Sequence, residues 1–271
     1  MLDPSIAGAA PHAEDLLIEL ALLEGELQAE AARDPLDVLL ETAEEPPESA
    51  ELREELCRGA LLQLQGDHDQ QLQALKVFCE HRDPRAVPLL LPLLRSSCPI
   101  LRMSAVYALG RNPEPQALPE LQRLFQEDSN GFVRKALAWS LGNYDDVSVL
   151  PTLVRALETD IAAVRLWAAS SLADGALAHG EQRPLVVRQL LLSLAIDGEA
   201  AVRSNSAWGL GRLHPQLEPP LAGEVEQGLL QALLHDPDPG VREDARNALE
   251  SVADPVMVER LRTLVEEGLL P

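Results

Sequence analysis

Thiols and imidazoles are the side chains of this chain with the widest chemistry, and their spacing decides whether they could bind a metal. The chain carries three cysteines and six histidines. No two histidines have metal-ligand spacing, and the cysteines are too few for a disulfide framework and lack Cys-x-x-Cys spacing. We expect Cys79 and Cys98 to come near each other at one end of the molecule. They are either structural thiols or weak candidates for ligands of a metal or cluster shared with a partner.

Recognisable catalytic motifs are missing from the sequence. It contains no glycine-rich phosphate loop, no Gly-x-Ser-x-Gly and no His-Glu-x-x-His. Because no acid, base or nucleophile can be assigned, the sequence favours a binding protein over an enzyme.

The charge balance restricts the partners and the location. The formal net charge is −22, which repels phosphate backbones and anionic lipid, so nucleic acid and membrane surfaces are unsuitable partners. A basic protein surface fits better. The first residues show no targeting pattern, and no stretch approaches the roughly 18 apolar residues of a membrane span. We therefore expect a cytoplasmic protein with reduced thiols.

Arginine and aspartate recur at regular places along the chain. An apolar residue followed by arginine returns after 32, 31, 38 and 39 residues, usually with an aspartate five or six residues earlier. On a helix that turns about 100° per residue, each arginine shares the core-facing stripe, where an unpaired charge is prohibitively costly. We therefore predict an Asp/Arg ladder between successive repeats that serves stability. Its members are Arg134, Arg165, Arg203, Arg242, Asp128, Asp160, Asp197 and Asp236.

Two alternating kinds of helix must carry these residues. The arginine-bearing segments, here called B helices, alternate with apolar segments that often have proline in the first turn, here called A helices. A weaker first copy has Gln71 in the arginine position, and a last A pattern covers residues 256–267. No segment shows strand alternation. The pattern predicts an all-α, right-handed α-solenoid of about six helical hairpins over residues 61–271.

Residues 1–60 differ in composition from the repeats. They hold 16 Asp or Glu against 3 Lys or Arg. The stretch LLIELALLEGELQAEAA has the spacing of an amphipathic helix, whereas the Pro-Pro pair and like charges that follow resist packing. We interpret residues 1–60 as an acidic, partly disordered extension with one candidate helix. A regulatory or partner-docking arm is the alternative.

The repeat motifs resemble a known family. B helices of the type Val-Arg-x-x-Ala-x-x-Ala-Leu-Gly, with an upstream aspartate, are similar to HEAT repeats of the short phycobilisome-lyase type over residues 61–271. The resemblance implies a superhelix whose B helices line the concave side. The runs NGFVRKALAWSLGN, TDIAAVRLWAASSLA and AAVRSNSAWGLGRL are most similar to cyanobacterial HEAT-repeat proteins associated with A-type iron–sulfur cluster carriers.

The resemblance implies several functions. The first is a non-catalytic adaptor in iron–sulfur cluster biogenesis or iron homeostasis, which binds an A-type carrier and holds no cofactor except a shared iron–sulfur cluster. The second is a phycobilin lyase or bilin-isomerase subunit, which binds phycocyanobilin and acts on a phycobiliprotein together with a lyase partner. The third is a scaffold for some other protein assembly. Only Glu80-His81 resembles the His-Glu pairs of iron-binding HEAT-like enzymes, so that class is rejected.

Large aromatic residues fall on the side of the B helices that points away from the core. Positions two and five residues after the arginine lie about 140–200° from it around the helix. Aromatic and arginine side chains are common interface anchors, so we predict a partner-binding stripe; packing over the seams between B helices is the alternative. The aromatic members are Tyr107, Trp139, Trp167 and Trp208, and the edging residues are Lys135, Arg111, Arg212 and Asn205.

Overall fold

The computed structural model of the protein describes residues 50–252 and residue 263. The candidate helix of the acidic extension and most of the last predicted A helix lie outside the described residues. Residues 50–60 are assigned to the extension by their sequence, but they belong to a helix, α1 (Ala50–Gln63). Cys57 and Ala60 are buried on that helix, and Leu64 is buried just after it. The repeats therefore begin earlier than the sequence predicts, because these apolar residues share one helix face.

Twelve helices among the described residues form six hairpins, each an A helix followed by a B helix. No strand occurs within residues 50–252. The A helices are α1, α3 (Val87–Leu90), α5 (Leu118–Glu127), α7 (Val149–Thr159), α9 (Arg183–Ile196) and α11 (Pro219–His235). The B helices are α2 (His68–Glu80), α4 (Pro99–Arg111), α6 (Gly131–Gly142), α8 (Ala162–Ala178), α10 (Ala200–Leu213) and α12 (Pro239–Val252).

Local sequence signals explain where individual helices begin and break. Asp67 caps α2 by accepting a hydrogen bond from the Gln70 N–H, and the Gln70 side chain accepts one from the Asp67 N–H. Helix α3 is short because Pro88 and Pro92 cannot donate backbone hydrogen bonds to the preceding turn. Two 3₁₀ segments, Pro84–Ala86 and Leu91–Arg95, complete this A helix.

The B helices pack side by side in one layer, where small residues allow close approach. A side-chain carbon at Gly142 would lie 2.6 Å from Cβ of Ser171, so only glycine fits there without displacement. Gly142 stands eight residues after one repeat arginine, and Ser171 stands six residues after the next. The same register pairs Gly110 with Ser140, Ala173 with Gly209, and Gly211 with Ala248. The position eight residues after one repeat arginine therefore contacts the position six residues after the next arginine, with the same register between α4, α6, α8, α10 and α12.

The core between the A and B layers consists almost entirely of leucine, alanine and valine. Leu137, Leu141 and Leu172 on the B helices are fully buried, as are Leu153 and Leu190 on the A helices. Full burial of such a side chain contributes about 1.5–3 kcal/mol, so the core needs few aromatic rings. Among the described residues, no helix combines the length and hydropathy required to cross a bilayer.

Candidate partner-binding site

Four arginines of the B helices form bidentate pairs with aspartates of the following repeat. In each pair one guanidinium N–H group donates to a carboxylate oxygen at 2.7 Å. The Nη1 group also donates to a backbone carbonyl of the turn that precedes the same B helix. Each arginine thus joins its own repeat to the next one. The pairs are Arg102–Asp128, Arg134–Asp160, Arg165–Asp197 and Arg203–Asp236.

The Arg134–Asp160 pair illustrates the chemistry of these contacts. Nε and Nη2 of Arg134 donate to the two oxygens of Asp160 at 2.8 and 2.7 Å, and Nη1 donates to the carbonyl of Asp128 at 3.1 Å. The hydrogen bonds that Arg134 donates to Asp160 raise the pKa of Arg134 above its usual value. Because donors and acceptors satisfy one another, these groups stabilise the fold and do not form an open anion site.

The ladder also includes Arg102, which is not among the predicted members. The sequence places Ser96 where the other repeats have aspartate before the arginine, so Arg102 lacked an obvious partner. In the structure Arg102 pairs with Asp128 of the next repeat. The sequence signal was present, because the aspartate that matters follows the arginine by 26 residues. At the other end, Arg242 donates to the carbonyl of Asp236 at 2.8 Å.

Two of the predicted stripe residues pack against each other. The ring centroids of Tyr107 on α4 and Trp139 on α6 are 5.5 Å apart, with the rings tilted by 56°. Cζ3 of Trp139 also lies 2.6 Å from the place that a Cβ on Gly110 would occupy. Both rings are half-buried. They therefore cover the seam between α4 and α6, which is the packing alternative for these two residues.

Trp167, the third aromatic residue of the stripe, and Asn205 are also held by contacts within the fold. Trp167 is half-buried and packs against the core, and its indole N–H has no hydrogen-bond partner among the described residues. The Asn205 amide donates to the Leu166 carbonyl at 3.0 Å and to Oγ of Ser170 at 2.7 Å. Asn205 therefore tethers α10 to α8.

Trp208 is the most exposed of the four aromatic residues. Its side chain lies on α10 and is 40% exposed. The guanidinium carbon of Arg212 lies 4.6 Å from the centroid of the Trp208 ring, a cation–π distance. Arg212 also forms a salt bridge with Asp174 of α8. Trp208 thus combines an accessible indole with a charged group held beside it.

Two of the edging residues do not have the exposure that the stripe requires. Lys135 is only 5% exposed, so its placement at the edge of the stripe is wrong. It lies in the middle of α6, and α4 and α8 cover that helix from both sides. Arg111 is exposed, but its Nε donates to the carbonyl of Cys79 at 3.1 Å.

The two candidate cysteine ligands are separated by the packing of α2 and α4. Cys79 lies near the end of α2, where its thiol donates to the Ser104 carbonyl at 3.6 Å. Cys98 precedes α4 and pairs with His68 at the start of α2. These helices run in the same direction, and Cys79 lies eleven residues beyond His68 on α2 and beside Ser104, six residues beyond Cys98 on α4. At 1.5 Å per residue the thiols are therefore about 9–16 Å apart along the axis, so the expected proximity is wrong. Burial raises the pKa of Cys79 to about 11, which disfavours the thiolate that metals bind.

Neither the acidic side chains of the described residues nor a surface depression between two repeats forms a metal or anion site. No group of three or more His, Cys, Asp or Glu side chains with metal-binding geometry occurs in the part of the chain that the structure describes. A depression of about 560 Å³ lies between the second and third repeats and contains Arg102, Arg123, Glu127 and Asp128. Arg102 and Asp128 form a ladder pair, and Arg123 pairs with Glu127, so these charges compensate one another.

Sequence comparisons identify HEAT repeats in the first half of the described region. The pattern of HEAT repeats matches residues 58–142, and the pattern of the PBS lyase HEAT-like repeat matches residues 133–159. An uncharacterized protein encoded in the gldA 3′ region of Geobacillus stearothermophilus is 41% identical over 66 residues. That match spans 24% of this chain and 30% of the relative's length.

Solved repeat proteins share the fold at low sequence identity. A designed armadillo repeat protein in complex with the peptide (KR)4 has a TM-score of 0.57 at 19% identity, covering 73% of this chain and 99% of that one. The structure of Kap95p with RanGDP gives a TM-score of 0.57 at 16% identity, covering 86% of this chain and 36% of that one. The Escherichia coli protein YibA gives 0.53 at 16% identity, covering 79% and 76%. The sequence matches identify HEAT repeats within residues 58–159, and the shared architecture confirms that the protein is an all-α solenoid.

Proposed function

We propose that the protein is a non-catalytic protein-binding scaffold whose partner contacts the exposed side of the B helices around Trp208. The observation that carries this proposal is the 40% exposure of Trp208 in a chain with only three tryptophans. Exposed indoles beside arginine are typical anchors of protein interfaces. The other aromatic residues of the stripe pack against the fold, so Trp208 is the centre of the proposed site.

The architecture supports a protein partner. HEAT and armadillo repeats serve generally as protein-binding scaffolds, because stacked hairpins present a long continuous surface. Two of the structures with the same fold were solved with a peptide, (KR)4, or with the protein RanGDP. The four ladder arginines that form bidentate pairs hold that surface in one register, since each binds both its own repeat and the next, as Arg134 does.

The finer proposal is an adaptor for A-type iron–sulfur cluster carriers, which rests on the resemblance of the three tryptophan-bearing B helices. Under this proposal the carrier brings the cluster, because the Cys79 thiol is half-buried, hydrogen-bonded to the Ser104 carbonyl and separated from Cys98. A purified A-type carrier should bind the wild-type chain and lose most of its affinity for Trp208→Ala in calorimetric titrations. Equal affinity for both proteins would reject the carrier as the partner at this site.

A phycobilin lyase subunit is the alternative. An open-chain tetrapyrrole would bind to a continuous aromatic face, whereas Tyr107 and Trp139 pack against each other and Trp139 also contacts Gly110. We therefore rank this function second. Titration of the chain with phycocyanobilin tests the lyase function. A shifted, structured visible band at micromolar concentration would favour a lyase subunit, and an unchanged spectrum would exclude that function.

Site-specific photo-crosslinking tests the scaffold function directly. A photoreactive phenylalanine analogue replaces Trp208 in one variant and Glu158, an exposed residue of the A helix α7, in the matched control. In a lysate of the source cells, the variant at position 208 should yield one discrete adduct that the control does not. The same adducts at both positions, or adducts only at position 158, would contradict a binding site on the B helices.

A further inference from the structure

We propose that the C-terminal end of the B-helix layer binds a lysine or arginine side chain from a basic protein segment, between Trp208 and Asp244. This proposal rests on the proposed scaffold function and specifies its partner. The site consists of the exposed indole of Trp208 on α10 and the carboxylate of Asp244 on α12. It differs from the ladder, whose arginines and aspartates are already paired with each other.

The constant register of the B helices places Asp244 beside Trp208. Asn205 stands two residues after its repeat arginine, and it bonds Ser170, which stands five residues after the preceding one, at 2.7 Å. Asp244 and Trp208 occupy the same two positions one repeat later. The contact of Gly211 with Ala248 repeats that of Ala173 with Gly209, so α12 meets α10 as α10 meets α8. Asp244 therefore neighbours Trp208 as Asn205 neighbours Ser170.

Arg212, the cation that contacts Trp208 within the chain, lies away from Asp244. Arg212 stacks on Trp208 and is drawn toward α8 by its salt bridge with Asp174. Helix α12 lies on the opposite side of α10 from α8, because the B helices follow one another in a single layer. Arg212 is therefore held toward α8, whereas Asp244 lies on the α12 side of α10. An indole face next to a carboxylate attracts ammonium and guanidinium groups through the ring quadrupole and the charge.

Charge complementarity identifies the partner as a basic protein segment. Exposed Glu250 lies on the same helix as Asp244 and adds to its negative potential, whereas Glu243 is compensated in part by Arg246, 4.0 Å away. The whole chain carries a net charge of −22, which draws basic partners over distances of about one Debye length and repels a second copy of the chain. Exposed Asn247 stands next to this acidic group, at the position equivalent to Trp208, and supplies a neutral hydrogen-bonding side chain.

Fluorescence titration of the full chain with a Lys/Arg octapeptide tests this site. The peptide should change the tryptophan emission, and an octapeptide of Glu and Ser should not. Trp208→Ala should weaken binding about tenfold and Asp244→Asn about three- to fivefold. The matched control is Glu158→Gln, which removes the same charge from an exposed position on α7 and should change the Kd by less than about 1.5-fold. Circular dichroism melts of the three variants verify folding.

The outcomes separate this inference from the scaffold function. Equal weakening by Asp244→Asn and Glu158→Gln would mean that only bulk charge attracts the peptide, and it would overturn the site while leaving the scaffold function intact. The native partner crosslinked at position 208 should be displaced by the basic octapeptide and not by the acidic one. If neither peptide displaces it, the scaffold function stands and the basic partner is wrong. If no partner crosslinks at position 208, the scaffold function itself is wrong.

Discussion

Replacing Arg203 by methionine is the sharpest test of the ladder. Its side chain is 10% exposed and that of Asp236 is 5% exposed, so this pair is the most buried by the combined exposure of its members. Nε and Nη2 of Arg203 donate to the two oxygens of Asp236 at 2.7 and 2.8 Å. Methionine keeps most of the side-chain length and removes the charge and the donors. The carboxylate of Asp236 then keeps the hydrogen bond that it accepts from the Asp238 N–H at 2.9 Å.

The structure implies a large loss of stability at neutral pH. Breaking a buried ion pair on one side leaves the other charge uncompensated, which costs about 3–5 kcal/mol. Burial by itself raises the pKa of Asp236, but the hydrogen bond from Arg203 and the Asp238 N–H outweigh it and hold the pKa below its usual value. In the wild type the contribution of this carboxylate is therefore complete above the unfolded pKa of about 3.9, and it is lost as the pH falls through the lower folded pKa.

The pH dependence of the variant has the opposite sign. Without Arg203, burial dominates and the pKa of Asp236 rises above the unfolded value. The stability penalty of the variant is then largest above that raised pKa and shrinks as acid protonates the carboxylate. The deficit relative to wild type should therefore narrow between about pH 7 and pH 4.

Urea unfolding followed by circular dichroism at several pH values measures both effects. Arg95→Met provides the control, because Arg95 is 72% exposed in its pair with Glu120 and should lose less than about 1 kcal/mol. Arg203→Met combined with Asp236→Asn should recover part of the loss, since the double variant no longer buries a lone charge. Hydrogen exchange should locate the weakened region at the junction of α10 and α11.

Two results would refute this reasoning. A loss no larger than that of Arg95→Met would mean that water reaches Asp236 and that the ladder is a surface feature. A deficit that is constant between about pH 7 and pH 4 would mean that lost packing, and not an uncompensated charge, causes the destabilisation.

Three further predictions concern packing and protonation. Gly142→Val should destabilise the fold by roughly 1–3 kcal/mol in urea unfolding because its side chain would press on Ser171, whereas Gly198→Ala, with no neighbour within 4 Å, should change stability by less than about 0.5 kcal/mol. Arg123 and Arg95 lower the pKa of Glu120 to about 2, so carboxyl NMR should show its titration near that pH, and Arg123→Met should raise the pKa. The contribution of Glu120 to stability is complete above its unfolded pKa of about 4.3 and is lost as the pH falls through about 2. Iodoacetamide should modify Cys98 faster than Cys79, because His68 lowers the pKa of Cys98 while burial raises the pKa of Cys79 to about 11; peptide mapping by mass spectrometry measures both rates. His68→Ala should slow the modification of Cys98, and an unchanged rate would contradict the pairing of His68 with Cys98.

The fold was predictable because the same local sequence pattern recurs in successive repeats. Helical spacing, proline in the first turn and the recurring arginine each indicate the hairpin independently, so errors in one copy do not change the result. The first residue of the repeats was harder to predict, since α1 is rich in acidic residues and its apolar face, which includes Cys57 and Ala60, is short. The acidic composition of α1 therefore suggested an extension although the spacing of its apolar residues is helical.

The candidate site was less predictable, because it depends on contacts between repeats. A single helix projection placed Lys135 on the accessible side, but neighbouring helices on both sides bury it. The projection also treated the four aromatic residues alike. Tyr107 and Trp139 contact each other across two helices, and only the exposure of Trp208 distinguishes it from them.

By itself, the sequence determined the all-α repeat architecture, the alternation of A and B helices and the presence of arginines that need partners. These properties follow from helical periodicity and from the cost of an unpaired buried charge, both of which act within one repeat. Only the tertiary structure decided that α2 and α4 run in the same direction and separate Cys79 from Cys98, and that Trp208 keeps an accessible ring. The physical reason is that exposure and proximity depend on the register between helices, which small residues such as Gly142 and Gly211 allow by close contact.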